Sequence, residues 1–356
     1  LTYLPIMGAT SSSKETAKAR ARAQARSTIQ DASTWTPSTL AAAVQSGQRD
    51  ALAQAITWVE SALPEHQERI EALLQHAPGN GQSIRIGFTG IPGAGKSTLI
   101  ERFGLDAIQR GHKVAVLAVD PSSQRTGGAL LGDKTRMHDL SKHPHAFVRP
   151  SAASNTLGGV ARATSEAIQL CEASGYDMIL VETVGVGQSE VTVRSMVDMF
   201  VLLLIGGAGD DVQGIKRGVV EMADLVVVHK AEEDRLKACR ATANAYRQAL
   251  HVLPIPPSGV RPEVLLLSSL TGAGHGDLWD QLDAMSSEWK STGWWNEQRA
   301  RQRVEAMHRH ARQLLIESHM HHKAQAWNEL EERVRKGEQS PFASARSWVH
   351  QPKGTP

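Results

Sequence analysis

Residues Gly90-Ile91-Pro92-Gly93-Ala94-Gly95-Lys96-Ser97 read G-x-x-x-x-G-K-S. They follow an apolar run (Ile84, Ile86, Phe88) and precede a helix-like stretch that opens Thr98-Leu99-Ile100. A strand, a glycine-rich bend and a helix in that order make a cradle for nucleotide phosphates. Glycines let the backbone bend until its N–H groups point inward, and the helix adds its positive N-terminal end. Gly90, Gly93, Ala94, Gly95 and Thr98 are expected to line the cradle. Lys96 would reach the β- and γ-phosphates, and the Ser97 hydroxyl would ligate Mg²⁺.

Working outward from the cradle, short apolar runs alternate with helical patterns from about 82 to 285. The runs are Ile84–Phe88, Val114–Val119, Ala146–Val148, Met178–Val181, Met199–Ile205, Leu225–Val228 and Val264–Leu267. Most are continuously apolar, as strands buried on both faces are. The alternation predicts an α/β P-loop fold: a mostly parallel sheet with helices on both faces and right-handed crossovers. Ligands of such sheets sit at the carboxyl ends of the strands.

The flanks are helical. Before residue 80, Leu40, Ala41, Val44, Leu52, Ile56 and Val59 recur at helical spacing, and Thr36-Pro37-Ser38 reads as a helix start. After residue 286, Trp289, Trp294 and Trp295 lead into a long polar segment, Glu297 to Arg335. Val304, Met307, Ala311, Leu314 and Leu315 form one narrow apolar stripe on it, which needs a partner surface. That surface is either another molecule or the nucleotide domain itself. The tail from Ser340 is expected to be poorly ordered. The expected division is a helical extension over 1–80, a nucleotide domain over 81–285, and a helical arm and tail over 286–356.

Composition sets the bounds. With 356 residues and 41% hydrophobic side chains the chain can build a large core. A net charge of +2 calls for neither nucleic acid nor an anionic membrane as partner. Cys171 and Cys239 lack metal or redox spacing and are expected to be reduced thiols. The apolar stretch near Val197–Gly207 is too short to cross a bilayer. Ser11–Arg26 is rich in Ser, Ala, Lys and Arg and poor in acids, as transit peptides are. A solvated helix or loose lead is the reading taken here. The expected location is therefore a bacterial cytoplasm, with a mitochondrial matrix as the alternative.

Each remaining constellation falls just after one of the apolar runs. Asp120 and, further on, Asp133 are placed to hold Mg²⁺ directly or through water, and Asp133 could also orient the attacking water. Glu182-Thr183-Val184-Gly185 has a carboxylate at a strand end followed by a glycine whose N–H can meet the γ-phosphate. Glutamate there places a water between carboxylate and metal. Val186 follows Gly185, so no glutamine orients water from that position; Gln188 or a partner residue would help, and hydrolysis should be slow. Gly206 to Lys216 is a polar loop carrying Asp210, Asp211 and Gln213, either a third moving loop or a surface turn. His229-Lys230-Ala231-Glu232 stands where GTPases carry N-K-x-D, the motif whose acid reads the guanine N1–H and amine. Here His replaces Asn and Glu replaces Asp. Ser268-Ser269-Leu270 is expected to close over the base.

Together and in this order, these motifs resemble the MeaB/ArgK family of GTPases, over roughly residues 40–320. The resemblance implies a nucleotide domain of the signal-recognition and hydrogenase-maturation (SIMIBI) type, a helical N-terminal extension and a C-terminal dimerisation arm. It implies that Lys96, Ser97, Asp120, Asp133 and Glu182 serve phosphate and Mg²⁺, and that Gln213 and Lys216 belong to a third switch. The implied function is a GTP-hydrolysing chaperone, stimulated by its partner, an adenosylcobalamin-dependent acyl-CoA mutase. It would gate cofactor loading and protect or reactivate that mutase. Cobalamin would belong to the client and not to this chain, and the chaperone would be a homodimer. Two other readings stay open: a P-loop kinase of a small molecule, and a metallochaperone GTPase.

Overall fold

The computed structural model describes residues 35–61, 64–119, 137–150, 157–183, 189–207, 217–322 and 324–350. The chain divides into two compact units, Leu1–Ser83 with Ser165–Asp177, and Ile84–Thr164 with Met178–Pro356.

The first unit is helical. Helix α1 (Pro37–Gln45) starts where Thr36 accepts the Thr39 N–H and the Thr39 hydroxyl accepts the Thr36 N–H, a reciprocal cap with Pro37 at the first turn. Helices α2 (Arg49–Glu60) and α3 (Pro64–His76) follow. Leu40, Val44, Leu52, Ile56, Val59 and Leu73 are fully buried. The Gln169 amide donates to the carbonyls of Leu74 (2.9 Å) and Ala77 (3.1 Å), acceptors that the end of α3 leaves over.

The second unit holds a seven-stranded sheet in the order β3-β2-β4-β1-β5-β6-β7. Its strands are β1 (Ile84–Gly90), β2 (Val114–Val119), β3 (Ala146–Arg149), β4 (Met178–Thr183), β5 (Met199–Ile205), β6 (Leu225–His229) and β7 (Glu263–Leu267). Every pairing is parallel. The seven expected runs all appear as strands, several of them longer by one or two residues at an end. β4 reaches Thr183 and β6 reaches His229, so Glu182 and His229 lie inside strands and not in the loops after them.

Both faces of the sheet are covered. On one side α4 (Lys96–Gln109) contributes Leu99, Ile100 and Phe103 to a core shared with Trp279 and Trp289 of α5 (His275–Ser291). Phe103 stacks on Trp279 at 4.4 Å, and the Arg110 guanidinium lies 4.4 Å from that indole. On the other side α6 (Leu236–Val252) buries Cys239, Ala243, Tyr246 and Leu250. A short helix, α7 (Ser189–Arg194), lies close over β1. A Cβ at Gly87 would stand 2.8 Å from Phe200, 2.9 Å from Val193 and 3.1 Å from Val197, so only glycine lets this helix approach.

The expected helical segment from Glu297 to Arg335 is helical on both sides of residue 323, as α8 (Trp294–His322) and α9 (Ala324–Arg335). The tail from Ser340, expected to be loose, instead carries helix α10 (Pro341–His350). Trp348 is buried there and meets Trp327 edge-on at 4.6 Å. A lone tryptophan in a tail shows no periodicity of its own; its partner sits on another helix. Among the described residues, no helix is long and apolar enough to cross a membrane.

Candidate functional site

β1 ends at Gly90, whose backbone passes so near β5 that a Cβ would collide with the Leu203 carbonyl oxygen. Gly93 and Gly95 adopt φ of +81° and +89°, in the left-handed region that glycine enters without strain. Helix α4 then begins with no side-chain cap, so its first N–H groups face the bend without competition from a side chain. The Lys96 ammonium is buried and curls back over the bend, donating to the Gly90 carbonyl (2.8 Å) and more weakly to that of Ile91 (3.4 Å). This geometry fits an anion: donors converge on a concave backbone, and a cation on a flexible stem waits beside them.

One residue further, the Ser97 hydroxyl donates to the Glu182 carboxylate at 2.8 Å, with both side chains buried. Two hard oxygen ligands next to a phosphate cradle form a donor set that suits Mg²⁺, which takes one or two protein oxygens and completes its shell with phosphate and water. Thr183 donates to Thr89 at 3.0 Å, tying the end of β4 to the end of β1 just below this pair. Among the described residues there is no cluster of three or more His, Cys, Asp or Glu side chains disposed to hold a metal.

The third part lies across the cradle. The His229 ring is buried at the end of β6, with Nδ1 2.8 Å from the Ala94 carbonyl and Nε2 2.8 Å from the Ser269 hydroxyl. A carbonyl only accepts, so Nδ1 carries the proton and Nε2 accepts from Ser269. Burial pushes the pKa of this ring below its ordinary 6.5, and the bond to Ala94 pulls the other way. The ring also fills the space where Gly95 has no side chain: a Cβ there would be 2.6 Å from Nδ1. Lys230 follows at φ +59°, the one non-glycine residue in left-handed conformation among those described. The Ser268 hydroxyl donates to Glu232 at 2.7 Å, and Thr271 N–H returns to Ser268 at 3.2 Å. Leu270 stands out into solvent at the rim.

The structure therefore gathers Gly90, Gly93, Ala94, Gly95, Lys96, Ser97, Thr98, Glu182, His229, Lys230, Glu232, Ser268, Ser269 and Leu270 at one edge of the sheet. Asp120, Asp133, Gly185, Gln188, Asp210, Asp211, Gln213 and Lys216 lie outside the described residues. Sequence reasoning missed the anchor below this edge. Asp198, at the foot of β5, accepts two bonds from Arg299 (2.7 and 2.6 Å) and one from the Arg85 N–H (2.9 Å). The signal was an acid standing alone at the head of an apolar run, where a buried charge demands a partner.

The chain has relatives of known sequence and structure. The family profile described as methylmalonyl Co-A mutase-associated GTPase MeaB matches residues 52–324. A probable GTPase of Mycobacterium bovis is 47% identical over 310 residues, 86% of this chain and 92% of that protein. GTPase ArgK of Escherichia coli is 46% identical over 263 residues, 74% of this chain and 80% of that protein. The mitochondrial methylmalonic aciduria type A homolog of Mus musculus is 44% identical over 299 residues, 81% of this chain and 68% of that protein. A crystal structure described as an LAO/AO transport system kinase superposes with a TM-score of 0.68 at 34% identity, covering 88% of this chain and 96% of that one. With the family profile spanning more than half of its length, the chain belongs to the MeaB family of methylmalonyl-CoA mutase-associated GTPases.

Proposed function

We propose that this chain binds GTP with Mg²⁺, hydrolyses it slowly, and uses the two nucleotide states to gate adenosylcobalamin loading of an acyl-CoA mutase. It would also protect or reactivate that client. The observation that carries the reading is the juxtaposition of Lys96, Ser97 and Glu182 at the mouth of the cradle. Lys96 would exchange the Gly90 and Ile91 carbonyls for the β- and γ-phosphates. Ser97 and Glu182 would hold Mg²⁺, joined by Asp120 and Asp133; the ion, when bound, would neutralise charge on the β- and γ-oxygens. Asp133 or Gln188 would orient the attacking water, and the Gly185 N–H would meet the γ-phosphate.

Base selection falls to Glu232, which Ser268 steadies. Its carboxylate offers acceptors to the guanine N1–H and amine and only repulsion to the N1 lone pair of adenine. His229 would couple this loop to the cradle through Ala94. Asp210, Asp211, Gln213 and Lys216 would form a third switch that reports the nucleotide.

Residues 1–80 would then act as a helical extension, 81–285 as the nucleotide domain and 286–356 as a dimerisation arm. The arm reading is supported by the exposure of the stripe: Val304 is 51% exposed, Met307 60%, Leu314 63% and Leu315 69%. A surface helix that turns its apolar residues outward calls for a partner. The client's cobalamin would not bind this chain. A bacterial cytoplasm suits these roles, with a mitochondrial matrix as the alternative, since one relative is a mitochondrial protein.

A second reading, a small-molecule kinase, is favoured by the similarity to a crystal structure of an LAO/AO transport system kinase. Competition binding of GDP against ADP separates the two. Preference for GDP, with hydrolysis that rises on adding the mutase, is expected; preference for ADP with phosphate passed to a small molecule would replace the chaperone reading.

A further inference from the structure

The loops after β6 and β7 close one side of the cradle, and their polar atoms divide into those already committed and those left over. His229 is committed on both sides. Its Nδ1–H goes to the Ala94 carbonyl (2.8 Å) and its Nε2 accepts from Ser269 (2.8 Å), so neither ring nitrogen is left for a purine. Burial lowers the pKa of the ring and keeps it neutral. The Lys230 stem runs beside the cradle, its Cε 3.6 Å from where a Cβ on Gly95 would stand. A methylene stem supports the flat face of any base and distinguishes none.

The Ser268 hydroxyl has one proton and gives it to Glu232 Oε1 (2.7 Å), while its oxygen accepts the Thr271 N–H (3.2 Å). Ser268 is fully buried, so water does not compete for this bond. One carboxylate oxygen is thereby held against the closing loop. The other, Oε2, accepts no hydrogen bond among the described residues. The backbone N–H groups of Ser269 and Leu270 likewise donate to nothing among the described residues.

What is left over is one carboxylate acceptor and a pair of N–H donors. A purine with N1–H beside a C6 carbonyl is the complement of that set: N1–H meets Oε2, and O6 meets the N–H donors. Guanine has both features, and so does hypoxanthine, the base of inosine nucleotides. The two differ only by the 2-amino group of guanine, for which this set holds no further acceptor. Adenine presents the reverse pattern, a lone pair at N1 and an amine at C6. The length of Glu232 matters here. Aspartate places its oxygens through two torsions and glutamate through three. The extra methylene lets Ser268 take one oxygen while the other turns to the base.

We propose that this chain selects 6-oxopurine nucleotides through N1–H and O6 and passes over the 2-amino group, so that inosine nucleotides bind beside their guanine counterparts. Glu232 is the residue that sets this tolerance. The inference rests on the nucleotide reading of the Lys96–Ser97–Glu182 site and deepens it.

Calorimetric titration of the full chain with Mg²⁺ and GDP, IDP or ADP tests this and needs no variant. IDP should bind within about fivefold of GDP, the loss of no more than a weak neutral hydrogen bond. ADP should bind more than about fivefold more weakly than IDP, since its N1 lone pair meets a carboxylate left without a donor. Glu232→Asp, with melting used to confirm the fold, should raise the preference for GDP over IDP above about fivefold, as a hydrogen bond from the amine to a charged group would. A larger preference for GDP in the parent overturns the proposal. ADP bound as well as IDP overturns reading through N1, and a preference that stays low in the folded Glu232→Asp variant overturns the role of the longer stem. Those outcomes leave the site itself standing. Failure to detect GDP, or preference for ADP over GDP, overturns the site reading and this inference with it.

Discussion

The Ser97 hydroxyl and the Glu182 carboxylate meet at 2.8 Å, across a separation of 85 residues in sequence. The contact brings the first turn of α4 against the end of β4, which the parallel order β4-β1 places beside the end of β1 that leads into α4. A carboxylate that already accepts from the putting-in-place hydroxyl is held ready for a cation. Glu182→Gln keeps an acceptor for Ser97 and removes only the charge. Mg²⁺-dependent nucleotide affinity, measured by calorimetric Mg²⁺ titration, should fall by about 10–100-fold, the usual effect of losing one group that tunes a metal site. An unchanged titration would place the metal elsewhere.

Lys96→Ala removes a buried cation whose present partners are backbone carbonyls. The Gly90 carbonyl is buried, so the fold also loses about 1–3 kcal/mol, the cost of a buried acceptor left unsatisfied. Nucleotide binding should lose about 1.5–3 kcal/mol, the range for hydrogen bonds to charged groups. The check is GDP affinity measured well below the melting temperature, where the variant is folded: affinity falls, and an unchanged affinity would place the phosphate site elsewhere.

Gly95 answers two demands at once, its φ of +89° and the imidazole that occupies its side-chain space. Gly95→Ala should destabilise by about 1–2 kcal/mol through backbone strain alone, with the collision against His229 added. Adding His229→Ala to this variant removes the collision but not the strain. Thermal melting should therefore show partial recovery in the double variant; full recovery would mean that the backbone tolerates alanine there.

Stability should respond to acid through His229. The pKa of the ring is depressed by burial, so the folded state gives up its proton more readily than the unfolded chain does. Its contribution is complete above pH 6.5, the ordinary value, and is lost as pH falls below it through the depressed value. His275 and His310 are depressed by burial and act in the same direction. Asp224 acts oppositely: burial raises it to about 6, so the folded state takes up its proton early and gains stability on acidification from there. The net slope therefore mixes signs, and the informative quantity is a difference. His229→Asn keeps a donor for Ala94 and an acceptor for Ser269 and does not titrate. Denaturant unfolding across acidic pH should show the variant losing less stability than the parent; parallel curves would mean that the ring takes up its proton alike in the folded and unfolded states.

The parallel sheet was legible because strands buried on both faces announce themselves as unbroken apolar runs, such as Val114–Val119 and Met199–Ile205. The cradle was legible because its glycines serve backbone geometry that other residues cannot supply. Three things were not. His229 reads as a departure from a base-reading motif, yet its staple to Ala94 depends on a ring reaching across two loops 135 residues apart in sequence. The Asp198–Arg299 pair joins residues 101 apart, and no local pattern links them. The stripe on α8 was visible as periodicity, but periodicity says which residues share a face and not which way the face looks. Only the polar contacts of Gln298 and Gln302 with Val197, and of Arg309 with Ser195, decide that.

That outward face yields the last expectation. Met307 and Leu314, 60% and 63% exposed, contribute almost nothing to the core of a single chain. Met307→Glu with Leu314→Glu should leave the melting of an isolated protomer within about 0.5 kcal/mol of the parent, as surface changes do. The same pair placed in a self-associating helix face would bury two unpaired carboxylates per copy, which is strongly unfavourable. Light scattering should therefore report a dimer for the parent and a monomer for the double variant, with GDP affinity unchanged in both. A double variant that remains dimeric would assign the stripe to some partner other than a second copy, and would move the dimer contact to another surface of the molecule.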